Sequence, residues 1–190
     1  MILKTRIDAQ VIFKDEKWEN GPPIQFIGNY HAYWLRNRTR NPKFDRFSGY
    51  ILDLKQSVAT GLLYFVQRVD PLISEGVLIC CVPSHDATKE QTGIRTLAQR
   101  LALARRVDGT GCLVRERTVD KSAHGGKRSV EIHLKSIAVH DKHLIKDQDI
   151  LLLDDVTTSG SSLTACEQLL VEAGARSVKC LALGQTVRHD

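Results

Sequence analysis

Two adjacent carboxylates, Asp154 and Asp155, stand just before Thr157, Thr158, Ser159, Gly160, Ser161 and Ser162, and these residues point most directly to chemistry. Hydroxyls clustered around one unhindered glycine backbone can wrap a phosphate. The four apolar residues Ile150 to Leu153 ahead of them are too few for a helix and have no polar face, so they predict a strand buried on both sides of a parallel sheet. Asp154 and Asp155 are expected where that strand ends. Successive side chains on an extended backbone leave on opposite faces, so the pair can offer one carboxylate to a ligand and the other to its surroundings, or grip two neighbouring hydroxyls.

From Leu163 the spacing becomes helical, with Leu163, Cys166, Leu169, Leu170 and Ala173 on one face and Gly174 placed to end the helix. A strand, an acid pair, a hydroxyl loop and a helix start therefore follow in order. This brings unpaired amides and the positive end of a helix dipole beside the loop, where an anion belongs.

This stretch resembles the phosphoribosyl-pyrophosphate (PRPP) signature of the type I phosphoribosyltransferases: an apolar strand, two acids, two mostly apolar positions and a short Thr/Ser/Gly loop. The resemblance implies that Asp154 and Asp155, the candidate catalytic residues, hold the ribose 2- and 3-hydroxyls. It also implies that Thr158, Ser159, Gly160, Ser161 and Ser162 bind the 5-phosphate. Earlier in the chain, Val77 to Val82 predicts a second buried strand, and by resemblance Pro83, Ser84 and His85, with Asp86, occupy the pyrophosphate loop after it. Read without the resemblance, the same residues also suit a plain turn. Thr92 to Ala102 follows as a helix with Ile94, Leu97, Ala98, Leu101 and Ala104 on its apolar face.

Other segments narrow the likeness to the ComF-type and amidophosphoribosyltransferase-like proteins. They are a helical stretch containing Leu54-Lys55, the Val82-Pro83 loop with the Gly93 helix behind it, Arg115-Glu116-Arg117-Thr118, and Arg128. The chain lacks the N-terminal zinc-module cysteines of that group and carries Thr92 where a basic residue is expected, with Lys89 the nearest substitute. Cys112 to Val114 predicts a short strand. The polar stretch from Arg115 to Glu131, with Gly125 and Gly126 at its tip and Arg117, Lys127 and Arg128 among its cations, is expected to be a mobile lid. By resemblance it closes over PRPP. Mg²⁺ is expected to bind through PRPP itself, with Asp154 and Asp155 as candidate partners.

The elements that must position these residues give an α/β fold of three layers, a mainly parallel sheet flanked by helices, in one domain. Residues 1–44 are expected to form an N-terminal hood or β extension, with two strands about an Asn20 to Pro23 turn, and residues 45–190 the core. From Asp45 to Ile73 the apolar spacing predicts one long amphipathic helix, breaking near Gly61 if anywhere, ended by Pro71. Ile137 to Val139 and Ser177 to Leu183 are further strands.

With 190 residues, 42% hydrophobic and 26% charged, the chain suits a single globular domain. It has no membrane-length apolar run and no signal-peptide pattern at its start, so the expected location is the cytoplasm. Five cysteines without metal or redox spacing are expected to be reduced core thiols, and most of the seven histidines to lie on the surface, with His85 and His124 notable for their loops. Gly109-Thr110-Gly111 lacks the third glycine of a dinucleotide fingerprint, and Gly125-Gly126-Lys127 lacks the upstream glycine of a P-loop.

The expected activity is transfer of a phosphoribosyl group to a nitrogen nucleophile with release of pyrophosphate. The acceptor is unassigned, and a homo-oligomer is allowed. Two alternatives stay open: a catalytically silent protein that binds PRPP or a nucleotide, and a nucleic-acid-associated or DNA-uptake factor on the same fold. The second would use Tyr30 to Phe47, where aromatics alternate with arginines and could stack bases. In the preferred reading those aromatics pack inward and the arginines stay in water.

Overall fold

The structure is a computed structural model that describes residues 11–35, 37–119 and 127–187, with backbone alone for 127–128. The short helix α1 (Glu16–Glu19) leads into β1 (Ile24–Tyr30). Next come α2 (Arg46–Lys55), α3 (Ala59–Val69), a 3₁₀ turn over Asp70–Leu72, β2 (Leu78–Cys81), α4 (Gly93–Ala102) and β3 (Val107–Asp108). The chain continues through β4 (Leu113–Arg115), α5 (Lys127–Leu134), β5 (Ile137–Val139), α6 (Lys142–Ile145), β6 (Asp149–Thr157), α7 (Ser161–Glu172) and β7 (Ser177–Thr186).

Five strands form one parallel sheet in the order β1-β7-β6-β2-β3, while β4 and β5 pair antiparallel in a separate ribbon. Strand alternation divides the core into two layers. Ile79, Cys81, Leu151, Leu153, Leu181 and Leu183 face α2, α3 and α4; Leu78, Cys80, Ile150, Leu152, Cys180 and Ala182 face α7 and the β4–β5 ribbon. These residues are almost wholly shielded from water, each large apolar side chain contributing about 1.5–3 kcal/mol by its burial. The three-layer architecture expected from the sequence is the observed one.

The stretch 45–73 is two helices rather than one. The break falls at Ser57, whose φ of 61° is left-handed, four residues before Gly61. Gly61 lies inside α3 for a different reason: a Cβ there would stand 2.5 Å from both the Tyr50 carbonyl oxygen and the Leu54 amide nitrogen. The glycine lets α3 press directly onto α2.

The N-terminal segment also departs from expectation. Of the two strands expected about the Asn20 to Pro23 turn, the second is Ile24–Tyr30, the first falls largely on residues 1–10, which lie outside those described, and Glu16–Glu19 is helical, capped by Asp15. Of the expected hood or β extension, Ile24–Tyr30 supplies an extension, running parallel to β7 as the edge of the main sheet. All five cysteines are buried and free, and burial pushes the Cys81 thiol up to about 12. No described helix is long and apolar enough to cross a membrane.

Candidate functional site

After β6 the chain crosses by α7 to β7 on one side, whereas after β2 it crosses by α4 to β3 on the other. The carboxyl ends of β6 and β2 therefore flank the point where the winding reverses, which is where open α/β sheets leave a crevice. Here β2 stops beside Leu153, while β6 runs on against β7 to Thr157. The acid pair lies within the strand rather than at its end. Having lost its neighbour on the β2 side, the pair borders a cleft of about 470 Å³.

Alternation sends the two carboxylates to opposite faces. Asp154 turns toward α7, where its Oδ2 accepts a hydrogen bond from Ser162 Oγ at 3.1 Å and its Oδ1 one from the Asp155 amide at 2.8 Å. Burial, and after it the charge of Asp155, pushes Asp154 up to about 7, against the opposing pull of Lys55. Asp155 turns toward α2 and meets Lys55 Nζ at 2.8 Å. With the two side chains 36% and 26% exposed, that ion pair is worth about 0–1 kcal/mol, so a ligand can displace it. Lys55 stands there because it ends α2, which is held against α4 where Gly93 meets Leu54.

The hydroxyl loop forms the second part of the site. Gly160 has a φ of 77°, and a Cβ on it would stand 2.7 Å from Ile24 Cδ1, so glycine is needed for both reasons. No side chain caps α7, and the Ser161, Ser162 and Leu163 amides have no acceptor among the described residues. Beside them, the Thr157 hydroxyl is buried without a partner. Unsatisfied donors at the start of a twelve-residue helix, at the positive end of its dipole, favour a negatively charged neighbour. The remaining loop hydroxyls are spread out: Ser159 Oγ lies 2.9 Å from Ser161 Oγ, and Thr158 Oγ1 2.9 Å from Thr186 Oγ1. Ser162 lines the cleft with the acids, whereas Thr158, Ser159, Gly160 and Ser161 lie beyond its edge.

Pro83, Ser84 and His85 line the opposite wall with Lys89 and the start of α4, which Thr92 caps. Asp86 folds the loop tightly, accepting from the Thr88 amide at 2.9 Å. Two further bonds tie it to the stem of the expected lid: Val119 N–H donates to the His85 carbonyl at 2.9 Å, and Ala87 N–H to Thr118 Oγ1 at 3.0 Å.

The polar stretch from Arg115 to Glu131 is not one loop. Arg115 belongs to β4 and is 6% exposed, donating from Nε to the Ser84 carbonyl at 2.9 Å and from Nη1 to Ser136 Oγ at 2.6 Å. Lys127 and Arg128 open helix α5, whereas residues 120–126, which hold the expected glycine tip, lie outside the described residues. Arg117 donates to the Lys135 carbonyl and does not line the cleft. His133 is half-buried in the cleft wall with Nδ1 3.3 Å from Arg115 Nη2. Sequence reading missed His133 and the ion pair of Lys55: helical spacing puts His133 one turn from Ser129, and Lys55 read as a position inside one long helix until the structure ended α2 there.

The Tyr30 to Phe47 segment packs only in part as expected. Tyr33 stands edge-on to Phe44 and beneath the Arg40 guanidinium, but Trp34, in an antiparallel bridge with Arg40, is 61% exposed.

Fold and site together define an α/β protein whose switch-point cleft holds a carboxylate pair, with the start of α7 and the Pro83–His85 loop at its margins. Residues 95–185, just under half of the chain, match the family model described as phosphoribosyl transferase domain. A comparison with curated proteins finds no match. Among solved structures, the chain is similar to a hypoxanthine phosphoribosyltransferase from Staphylococcus aureus at 10% identity and a TM-score of 0.38, covering 75% of this chain and 76% of that one. It is also similar to the hypoxanthine phosphoribosyl transferase of Trypanosoma cruzi, with 11% identity, a TM-score of 0.33 and 80% and 77% coverage. A third is the hypoxanthine-guanine phosphoribosyltransferase of Schistosoma mansoni, with 11% identity, a TM-score of 0.30 and 88% and 85% coverage.

Proposed function

We propose that this chain is a type I phosphoribosyltransferase of the ComF-like kind, which binds PRPP and transfers its phosphoribosyl group to a nitrogen nucleophile, releasing pyrophosphate. One observation carries the reading: the two carboxylates leave β6 on opposite faces between an uncapped helix start and the Pro83–His85 loop. A ribose bearing phosphate at one end and pyrophosphate at the other matches that order of diol and anion sites. Asp154 and Asp155 orient the hydroxyls and offset positive charge developing at the anomeric carbon, while the α7 amides fix the 5-phosphate.

Among the described residues no group of three or more acidic, histidine or cysteine side chains could cage a metal, but paired carboxylates beside a polyphosphate site suit Mg²⁺, which keeps waters and substrate oxygens as ligands. Bound there by Asp154 or Asp155 and the substrate, Mg²⁺ would supply charge neutralisation of the pyrophosphate.

A silent PRPP- or nucleotide-binding protein is the second reading. It is favoured by Thr158, whose hydroxyl is held by Thr186 and cannot act as acid or base at neutral pH. Pyrophosphate release with a panel of bases and amines, run beside PRPP titrations with and without Mg²⁺, separates the readings. Release with any acceptor establishes transfer, and tight binding without release establishes the silent protein. Absence of PRPP binding under all conditions sinks both.

A further inference from the structure

Arg115 and His133 form a contact whose chemistry fixes a proton. A guanidinium carries only donors, so the 3.3 Å approach of Arg115 Nη2 to His133 Nδ1 requires a lone pair on that nitrogen. The ring proton must then sit on Nε2. Burial first, and the neighbouring guanidinium second, lower the His133 pKa and keep the ring neutral. Arg115 is itself held by the Ser84 carbonyl and Ser136 Oγ, so the ring is oriented by a buried, fully built support. Nε2 has no partner among the described residues, and His133 lines the same wall of the cleft as Ser84, His85 and Arg115.

We infer that His133 is a ligand-contacting residue that presents a neutral Nε2–H donor to the pyrophosphate end of the substrate. This rests on the phosphoribosyl reading above and adds a residue from α5 to that site. Through Arg115, His133 is tied to the Ser84 carbonyl of the Pro83–His85 loop, whereas of the 5-phosphate loop only Ser162 lines this cleft. The larger effect is therefore expected on the pyrophosphate.

Two variants separate contact from support. In His133→Asn the short amide still accepts from Arg115 but lacks a distal donor; in His133→Gln the longer amide nitrogen reaches about as far as Nε2. Inorganic pyrophosphate and ribose 5-phosphate, each titrated calorimetrically into the full chain with Mg²⁺, are the probes. The expected result is a loss of tenfold or more in pyrophosphate affinity for His133→Asn, with ribose 5-phosphate within twofold of wild type and His133→Gln within threefold for both. A pyrophosphate affinity within twofold of wild type in His133→Asn overturns the inference alone, as does an equal loss of both anions. Failure of the wild type to bind either anion overturns the phosphoribosyl reading and the inference together.

Discussion

Lys55 Nζ lies 2.8 Å from Asp155 Oδ1, joining the last turn of α2 to the strand that carries both acids. This pair holds the Asp155 carboxylate in place at the edge of the cleft. Because it is partly exposed, its loss should matter more for the ligand than for the fold. Lys55→Met is expected to change unfolding free energy by less than about 1 kcal/mol in urea, and to weaken PRPP binding about tenfold as one cation leaves the cleft. Urea melts and PRPP titrations check the two parts separately.

Removing both acids should have a larger effect. Asp154→Asn with Asp155→Asn is expected to weaken PRPP binding by more than about a hundredfold, equivalent to 2.7 kcal/mol or more. An affinity within about threefold of wild type, well under 1 kcal/mol, would exclude these residues from ribose recognition.

Asp154 also makes stability depend on pH. Its carboxyl titrates from 3.8 in an unperturbed chain and near 7 in the fold, so folding favours the neutral form. That contribution is complete below pH 4, drains away as pH rises to 7 and is gone above it. Asp154→Asn keeps a neutral side chain throughout. The variant should match wild type near pH 4 and exceed it at pH 8 by on the order of 1–4 kcal/mol, measured by urea melts at both values.

Gly93 is the packing point behind Lys55. A Cβ there would stand 1.8 Å from the Leu54 carbonyl oxygen, a backbone atom that cannot rotate away. Gly93→Ala should cost about 2–3 kcal/mol and lower Tm by roughly 5–10 °C in a calorimetric scan. Separation of α2 from α4 would also draw Lys55 off Asp155.

The part of the site carried by one continuous stretch was legible in the residues. Ile150 to Leu153 is a buried strand, and α7 stops at Glu172, two residues before Gly174 with its φ of 99°. What local pattern could not show was contact across the fold. The β6 strand continues through the acids because β7 runs beside it to Gln185. Arg115 read as a loop cation because its partners, Ser84 and Ser136, are thirty-one positions before it and twenty-one after. Ile24–Tyr30 read as peripheral because a parallel strand's partner lies far along the chain, here at Cys180 to Thr186. Glycine commonly marks a helix break, which puts the expected one near Gly61, yet that glycine serves helix-to-helix contact and Ser57 makes the turn.

The edge position of β1 reaches further than the sheet. Ile24 closes against Gly160, so the rim of the hydroxyl loop is built partly from the first quarter of the chain. Excising residues 1–44 would strip that rim, uncover one flank of β7 and leave Phe47 without the Gly28 backbone it packs over. Any minimal fragment made for binding work must therefore begin ahead of Ile24, and chimeras joined at residue 45 would exchange part of that rim with the N-terminal segment.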